Sequence, residues 1–332
     1  MWRNVIGPVT QRAGQLTRLA FEVRTGEERS LRHSTLCMQT SDPALKHFFT
    51  IDVEEYFQVK ALESVVSRDQ WLTHPSRVAR SVDELLAALA RSGASGTFFI
   101  LGWLAKHRPQ VVRSIAAAGH EIASHGFAHE RVTSLTPDAF REDVRSSKKA
   151  IEDLTGSVVL GYRAPSFSII PGYEWAFDIL IEEGYRYDSS LFPIRRRGYG
   201  YPAAQRTAHL IHRPSGQLAE FPLATTRIFS YPVPAAGGGY LRQLPFSVIR
   251  RAFREATERR EPATFYIHPW EIDPDQPRFP VSRLNRIRHY RGLSETLSRI
   301  DRLLAEFRFG TIASYLPRLD PVFAVPAAVG AA

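Results

Sequence analysis

The sequence predicts an α/β protein in which parallel strands alternate with helices in a single domain, and three observations carry that prediction. Short runs rich in β-branched and aromatic residues alternate with amphipathic stretches from His47 to Phe307. No composition break marks a second domain and no internal repeat marks a solenoid. The most conspicuous polar residues, Asp52, His125, Arg163, Asp188 and His268, all fall just past the ends of expected strands. In barrels and open α/β sheets that edge is where chemistry sits.

Each element has its own signal. His47–Val53 reads as the first strand and ends in acids: Asp52, Glu54 and Glu55. Ser81-Val82-Asp83-Glu84 has the form of a capping box opening a helix through Ala90, and Gly93 and Gly96 close the link to a strand at Thr97–Leu101. Pro109 starts a helix over Val111–Ala118, which leads through Gly119 to the buried strand ending at Glu121-Ile122-Ala123. Thr136-Pro137 opens a long amphipathic helix to Leu154, with Gly156 as its stop. The strand Val158–Tyr162 delivers Arg163-Ala164-Pro165-Ser166. Tyr173–Glu183 reads as a helix stopped by Gly184, and Tyr185–Ser190 as strand then loop. Arg195–Pro214 has no clear period and is expected to be long loops. Leu218–Leu223 reads as a short strand, Pro234–Tyr240 as a glycine-rich loop and Phe246–Arg259 as a helix. Within that loop Gly237-Gly238-Gly239 suits a flexible connection better than a phosphate cradle, since no lysine follows in register. Ala263–His268 is a strand ending at a histidine, and Leu293–Phe307 the last good helix.

Composition sets outer limits. The 332 residues can bury a large core, and 44% hydrophobic with 23% charged residues is the balance of an ordinary globular protein. The net charge of +9 comes from arginines dispersed among acids, without a recognisable nucleic-acid module, so no nucleic-acid partner is expected. Cys37 is the only cysteine and excludes an intramolecular disulfide. No apolar run approaches the roughly 20 residues of a membrane span. The start lacks the apolar core of a secretory signal. These features predict a cytoplasmic protein, with peripheral membrane association left open. Residues 1–45 read as an N-terminal extension, 46–316 as the domain and 317–332 as a tail; Met38 stands as an alternative start of translation.

Ser124-His125-Gly126-Phe127-Ala128-His129 places two imidazoles four residues apart on a loop after a strand, half of a metal site. Singly, each candidate has an ordinary structural reading. Asp52 and Glu54 suit a solvated strand end, Arg163 a surface ion pair, and His268 a packed histidine. The ordered set outweighs these readings, because it is what metal-assisted hydrolysis of an amide or ester requires. Two histidines and a carboxylate hold a divalent ion, a second carboxylate takes a proton from water, and a separate histidine protonates the departing group. Arg163 is suited to orienting the catalytic carboxylate.

The ordered phrases Thr50-Ile51-Asp52-Val53-Glu54-Glu55, Thr97-Phe98-Phe99, Ser124 to His129, Arg163-Ala164-Pro165, Tyr187-Asp188-Ser189-Ser190 and Ile267-His268 resemble the polysaccharide deacetylases, the nodulation-deacetylase homology group of carbohydrate esterase family four. The longer phrases Asp52–Val59, Gly161–Ile169 and His268–Pro274 look like the subgroup encoded with exosortase and exopolysaccharide-synthesis loci. The resemblance runs from about Phe48 to about Gly310. It implies a distorted (β/α) barrel of seven rather than eight strands. It also implies removal of N-acetyl groups from acetylated hexosamines of a polysaccharide or a lipid-linked glycan precursor. By position it makes Asp52 the general base, His125 and His129 metal ligands, Arg163 the residue tuning Asp52, and His268 the general acid, with Asp188 in the catalytic set. The implied ion is zinc, with cobalt or another divalent ion as alternatives.

The sequence departs from the commonest family pattern twice. Two adjacent aspartates are usual after Thr-Phe, and here Val53 fills the second slot. Glu54 is therefore assigned as the third ligand, with Glu55 as fallback. Arg-x-Pro-Tyr becomes Arg163-Ala164-Pro165-Ser166, so an oxyanion contact must come from backbone N–H or the ion. Two other functions stand beside the main one: a metal-independent amidohydrolase on a small cyclic amide, and a catalytically silent glycan-binding protein.

Overall fold

The computed structural model describes residues 45–196 and 198–323. The N-terminal extension up to residue 44, with Cys37 and Met38, and the end of the tail from residue 324 lie outside the described residues. The strands are β1 (His47–Val53), β2 (Thr97–Ile100), β3 (Glu121–Ser124), β4 (Gly161–Tyr162), β5 (Tyr187–Asp188), β6 (His209–Arg213), β7 (Gly216–Glu220), β8 (Thr225–Ile228), β9 (Tyr231–Pro234), β10 (Thr264–Ile267) and β11 (Phe309–Gly310). Helices α1 (Val78–Ser92), α2 (Gly102–His107), α3 (Pro109–Ala117), α4 (Pro137–Thr155), α5 (Trp175–Glu182), α6 (Gly238–Gln243), α7 (Phe246–Glu258), α8 (Arg283–Tyr290), α9 (Thr296–Glu306) and α10 (Leu316–Leu319) lie between and after them.

Strands β10, β1, β2, β3, β4, β5 and β7 are neighbours in that order and all parallel. Just beyond β7, Leu223 bridges Thr264 of β10 in parallel, which joins the two ends of the row through one bridge instead of a ladder. The result is a distorted (β/α) barrel. The described sheet has nine strands, two more than the seven the resemblance implies. The additions are β6, antiparallel to β7, and β11, paired with the first residues of β1.

Alternation along β1 sorts its side chains between two apolar layers. Phe49, Ile51 and Val53 join the large cluster that also holds Val82, Leu85 and Leu89 of α1. Phe48 joins a smaller cluster with Phe99, Ala123, Tyr187 and Ala219. Ile312, Leu316 and Phe323 belong to that smaller cluster too, so the chain stays packed through Phe323, within the stretch the sequence sets apart as a tail.

Several local expectations change. Helix α1 begins at Val78, and Ser81 is buried inside it instead of capping it. The cap comes from far away: Glu55 accepts hydrogen bonds from the Arg77 N–H and the Ser76 hydroxyl. The strand expected from Val158 is reduced to Gly161–Tyr162, because Val159 N–H turns to the side chain of Glu152 on α4. The stretch expected to be long loops contains β6, whose residues are at most half buried and so carry no apolar alternation. The three glycines form no flexible loop. A Cβ on Gly237 meets Tyr266 O at 1.9 Å and one on Gly238 meets the Tyr266 hydroxyl at 2.5 Å. Both residues also have positive φ, so glycine lets the chain lie directly against β10 before α6.

Candidate active site and metal centre

Thr50, Asp52 and Glu54 are spaced two apart, and the strand alternation carries past the end of β1, turning Glu54 to the same side as Asp52 and Glu55 to the opposite side. All three acids are buried. Glu55 is spent on the N-terminus of α1, which removes it as a fallback ligand. Glu54 Oε1 accepts from the indole of Trp270 at 2.9 Å. Its Oε2 lies 2.9 Å from His129 Nε2 yet makes no aligned hydrogen bond. Burial pushes the Glu54 carboxyl up, but His129, His268 and His125 more than offset this and leave its pKa at about 2.

His125 and His129 follow β3. The His125 N–H continues the ladder to Ile100 O, and Asp143 of α4 holds the loop between the histidines by accepting from Phe127 N–H. His129 itself has φ 55°, a strained conformation for a residue with a Cβ and one often kept at functional sites. His125 Nδ1 donates to Arg163 O at 2.8 Å, which leaves Nε2 free as a ligand nitrogen. Burial lowers the His125 pKa to about 4, so the ring is neutral. Ligand atoms of Glu54, His125 and His129 all lie within 4.8 Å of one another. A buried carboxylate oxygen without a hydrogen bond, facing the ligand nitrogens of His125 and His129, fits a divalent ion.

Arg163, fully buried past β4, locks the neighbouring carboxylate. Its Nη1 donates to Asp52 Oδ1 and to Thr50 Oγ1, both at 2.7 Å, while Nε and Nη2 donate to Ser189 O and Oγ. The guanidinium also sits 4.1 Å from the Phe99 ring centroid. Asp52 Oδ2 then faces His268 Nε2 at 3.8 Å. Asp188, expected in the catalytic set, is buried with both of its oxygens accepting from Ser190, whose hydroxyl in turn accepts from Ala164 N–H. Asp188 is thus a support of the Arg163 loop. Burial raises the carboxyls of both Asp188 and Glu220, and Glu220, which also feels the charge of Asp188, is raised well above the usual carboxylate range.

His268, at the end of β10, is held from behind. Its Nδ1 lies 2.6 Å from Glu271 Oε1, and Arg242 Nε donates to Glu271 Oε2 at 2.6 Å. Arg242 also donates to the carbonyls of Arg288, His289 and Arg291. Trp270 stacks between His268 and His289, with ring centroids 5.3 and 4.3 Å away. Burial lowers the His268 pKa, but Glu54, Glu271 and Asp52 outweigh it and raise it to about 9. His268 is the most exposed member of the site, at 18%, so the mouth lies on its side. Trp270, Glu271 and Arg242 join the site beyond the residues expected from the sequence. The phrase His268-Pro269-Trp270-Glu271 held the available signal for the first two, and nothing local marks Arg242.

A distorted parallel barrel with a Glu/His/His group, an arginine-held aspartate and a carboxylate-held histidine at its strand ends defines the class: an α/β barrel protein with a candidate metal centre. The family model described as polysaccharide deacetylase matches residues 68–171, and a domain of unknown function, DUF3473, matches residues 189–317. The polysaccharide deacetylase match thus covers the segment that holds His125, His129 and Arg163. It is 30% identical over 112 residues to a peptidoglycan deacetylase of Helicobacter pylori, covering 33% of this chain and 36% of that protein. It is 34% identical over 68 residues to a chitooligosaccharide deacetylase of Rhizobium leguminosarum bv. trifolii, covering 20% and 32%. The matches thus span about a third of these relatives' length. The fold is shared with the crystal structure of a candidate polysaccharide deacetylase from Mycobacterium smegmatis, with a TM-score of 0.58 and 18% identity over 87% of this chain and 96% of that one. Among the described residues no helix is long and apolar enough to cross a membrane.

Proposed function

We propose that the protein removes N-acetyl groups from N-acetylhexosamine units of a polysaccharide, an exopolysaccharide or its lipid-linked precursor, by metal-assisted attack of water. The observation that carries this reading is the meeting of Asp52, fixed by Arg163, with His268, fixed by Glu271, beside the Glu54/His125/His129 group. Two imidazole nitrogens and one carboxylate oxygen are a donor set of catalytic zinc, so zinc is the proposed ion. Bound there, it supplies a Lewis acid that polarises the amide carbonyl and makes water a better acid.

The chain's own groups supply the proton transfers. Asp52, its Oδ1 held by Arg163, takes a proton from the attacking water as that oxygen bonds to the acetamide carbon. The carbon–nitrogen bond then breaks, and its electron pair takes the proton that His268 gives up. The products are acetate and a free amine. Glu271 and Asp52, which face the ring, favour its proton-carrying form. The cytoplasmic location expected from the sequence is part of the proposal, and fractionation of native cells tests it.

Calorimetric titration of the metal-free protein with zinc and cobalt, beside His129→Ala, tests the centre, and acetate release from acetylated glycans tests the reaction. One site that the variant loses, with acetate released by the loaded protein, is the expected result. No metal binding to a folded protein moves the reading to a metal-independent amidohydrolase. Glycan binding without acetate release moves it to a silent glycan-binding protein.

A further inference from the structure

Beside His129, the segment after β1 and the loop after the two histidines enclose a groove of about 340 Å³. That is near the lower end of small-ligand sites, which begin at roughly 300 Å³, and it suits one sugar unit. Apolar side chains form part of its floor. Phe57, Val66 and Trp71 are buried there, and Trp71 packs edge-on against Trp103 at 5.5 Å.

One polar group in the groove is unexplained by the fold. Gln58 lines it, is 2% exposed, and its Oε1 accepts from Glu55 N–H at 2.8 Å. That bond fixes the orientation of the amide and leaves Nε2 buried without a hydrogen-bond partner. Buried donors are rarely left unpaired, and an exception asks for a ligand or water acceptor. Charge narrows the ligand. The cations at the groove are already matched, Arg68 to Glu130 at 2.9 Å and Arg131 to Glu63 at 4.0 Å, so the lining favours a neutral partner rich in oxygen acceptors over an anion. Gln58 also lies outside both segments matched by family models.

We infer that this groove is a subsite for a neutral sugar unit next to the one being deacetylated, with Gln58 Nε2 donating to a hydroxyl or acetamide oxygen of that unit. The inference rests on the deacetylase reading for what occupies the neighbouring position. It makes Gln58 a specificity-determining residue, one that favours oligomers over single sugars.

The test compares zinc-loaded full-length protein with Gln58→Leu and Gln58→Glu, using N-acetylglucosamine and N-acetylchitopentaose as probes. Glu at this position keeps the acceptor for Glu55 N–H and exchanges the donor for a charged acceptor, whereas Leu removes donor and acceptor without adding charge, so a fall shared by both variants reports the lost donor; zinc stoichiometry checks that each variant is intact. The expected result is that the pentamer-to-monomer ratio of kcat/KM falls roughly tenfold in both variants, the loss of one ordinary hydrogen bond. An unchanged ratio overturns the subsite. Should the wild type release no acetate, the deacetylase reading falls and calorimetry with the pentamer decides the subsite separately. Weaker binding by Gln58→Glu than by wild type upholds it, and equal or absent binding overturns it.

Discussion

From β1 to β4 the site side chains Asp52, Glu54, His125, His129 and Arg163 sit at or just past the ends of neighbouring parallel strands, whereas beyond β7 His268 depends on side chains stacked behind it. In the first region the backbone ladder sets position, and short hydrogen bonds such as Arg163 to Asp52 only trim orientation. In the second, Glu271 links His268 to Arg242, and Arg242 is tied to three backbone carbonyls around α8. Apart from the Trp270 to Glu54 hydrogen bond that joins them, the metal-centre arm and the acid arm are held by different groups and should fail separately. Substitutions in one should leave the other in place.

The sharpest way to break that comparison is Asp52→Asn, for which we expect turnover to fall by roughly 10²–10⁴-fold, the usual contribution of a general base. Zinc affinity measured by calorimetry should hold, and equal loss of both would sink the division of roles. Next comes Arg242→Met, which leaves Glu271 buried without its cation. Urea unfolding should show a loss of about 3–5 kcal/mol, the effect of breaking a buried pair from one side. Stability within error of wild type would mean that the rear stack bears no weight.

Glu271→Gln is milder. We expect kcat for acetate release to drop by about 10–100-fold, as for other residues that hold a catalytic imidazole from behind, with zinc affinity unmoved and partial recovery in Glu271→Asp. A matching fall in zinc affinity would join the two arms into one.

The smallest effect concerns the seam between the regions. His47 of β1 lies 3.0 Å from the Thr257 hydroxyl on α7 and accepts from Ala263 N–H through Nδ1. Burial depresses its pKa to about 4. A histidine depressed in the fold favours the native state above its unfolded pKa of about 6.5, and that contribution is lost as pH falls toward 4. Between pH 7 and pH 5 wild type should therefore lose about 2 kcal/mol more than His47→Gln in urea unfolding. Parallel pH profiles would show that His47 takes its proton without strain on the seam.

Much of this is legible in the sequence. The run His47–Val53 coincides with β1, the Thr136-Pro137 start and Gly156 stop frame α4, and the two histidines fall directly after β3. Those signals are local, since strand alternation, caps and stops act within a few residues. The failures are where a distant group intervened. Ser81 reads as a cap until Glu55 takes that task, and Gly237-Gly238-Gly239 reads as slack until Tyr266 is seen against it.

The sequence by itself determined the alternating architecture and the roster of strand-end residues, because periodicity and order along the chain are sequence properties. The tertiary structure alone sets Glu54 rather than Glu55 beside the two histidines, packs Asp188 against the Arg163 loop and brings Glu271 and Arg242 behind His268. Glu54 is selected by Trp270, 216 residues away, and Glu271 is joined to Arg242 across 29. A carboxylate's task depends on which buried donor it meets, and chain closure on that scale leaves no pattern that neighbouring residues can show.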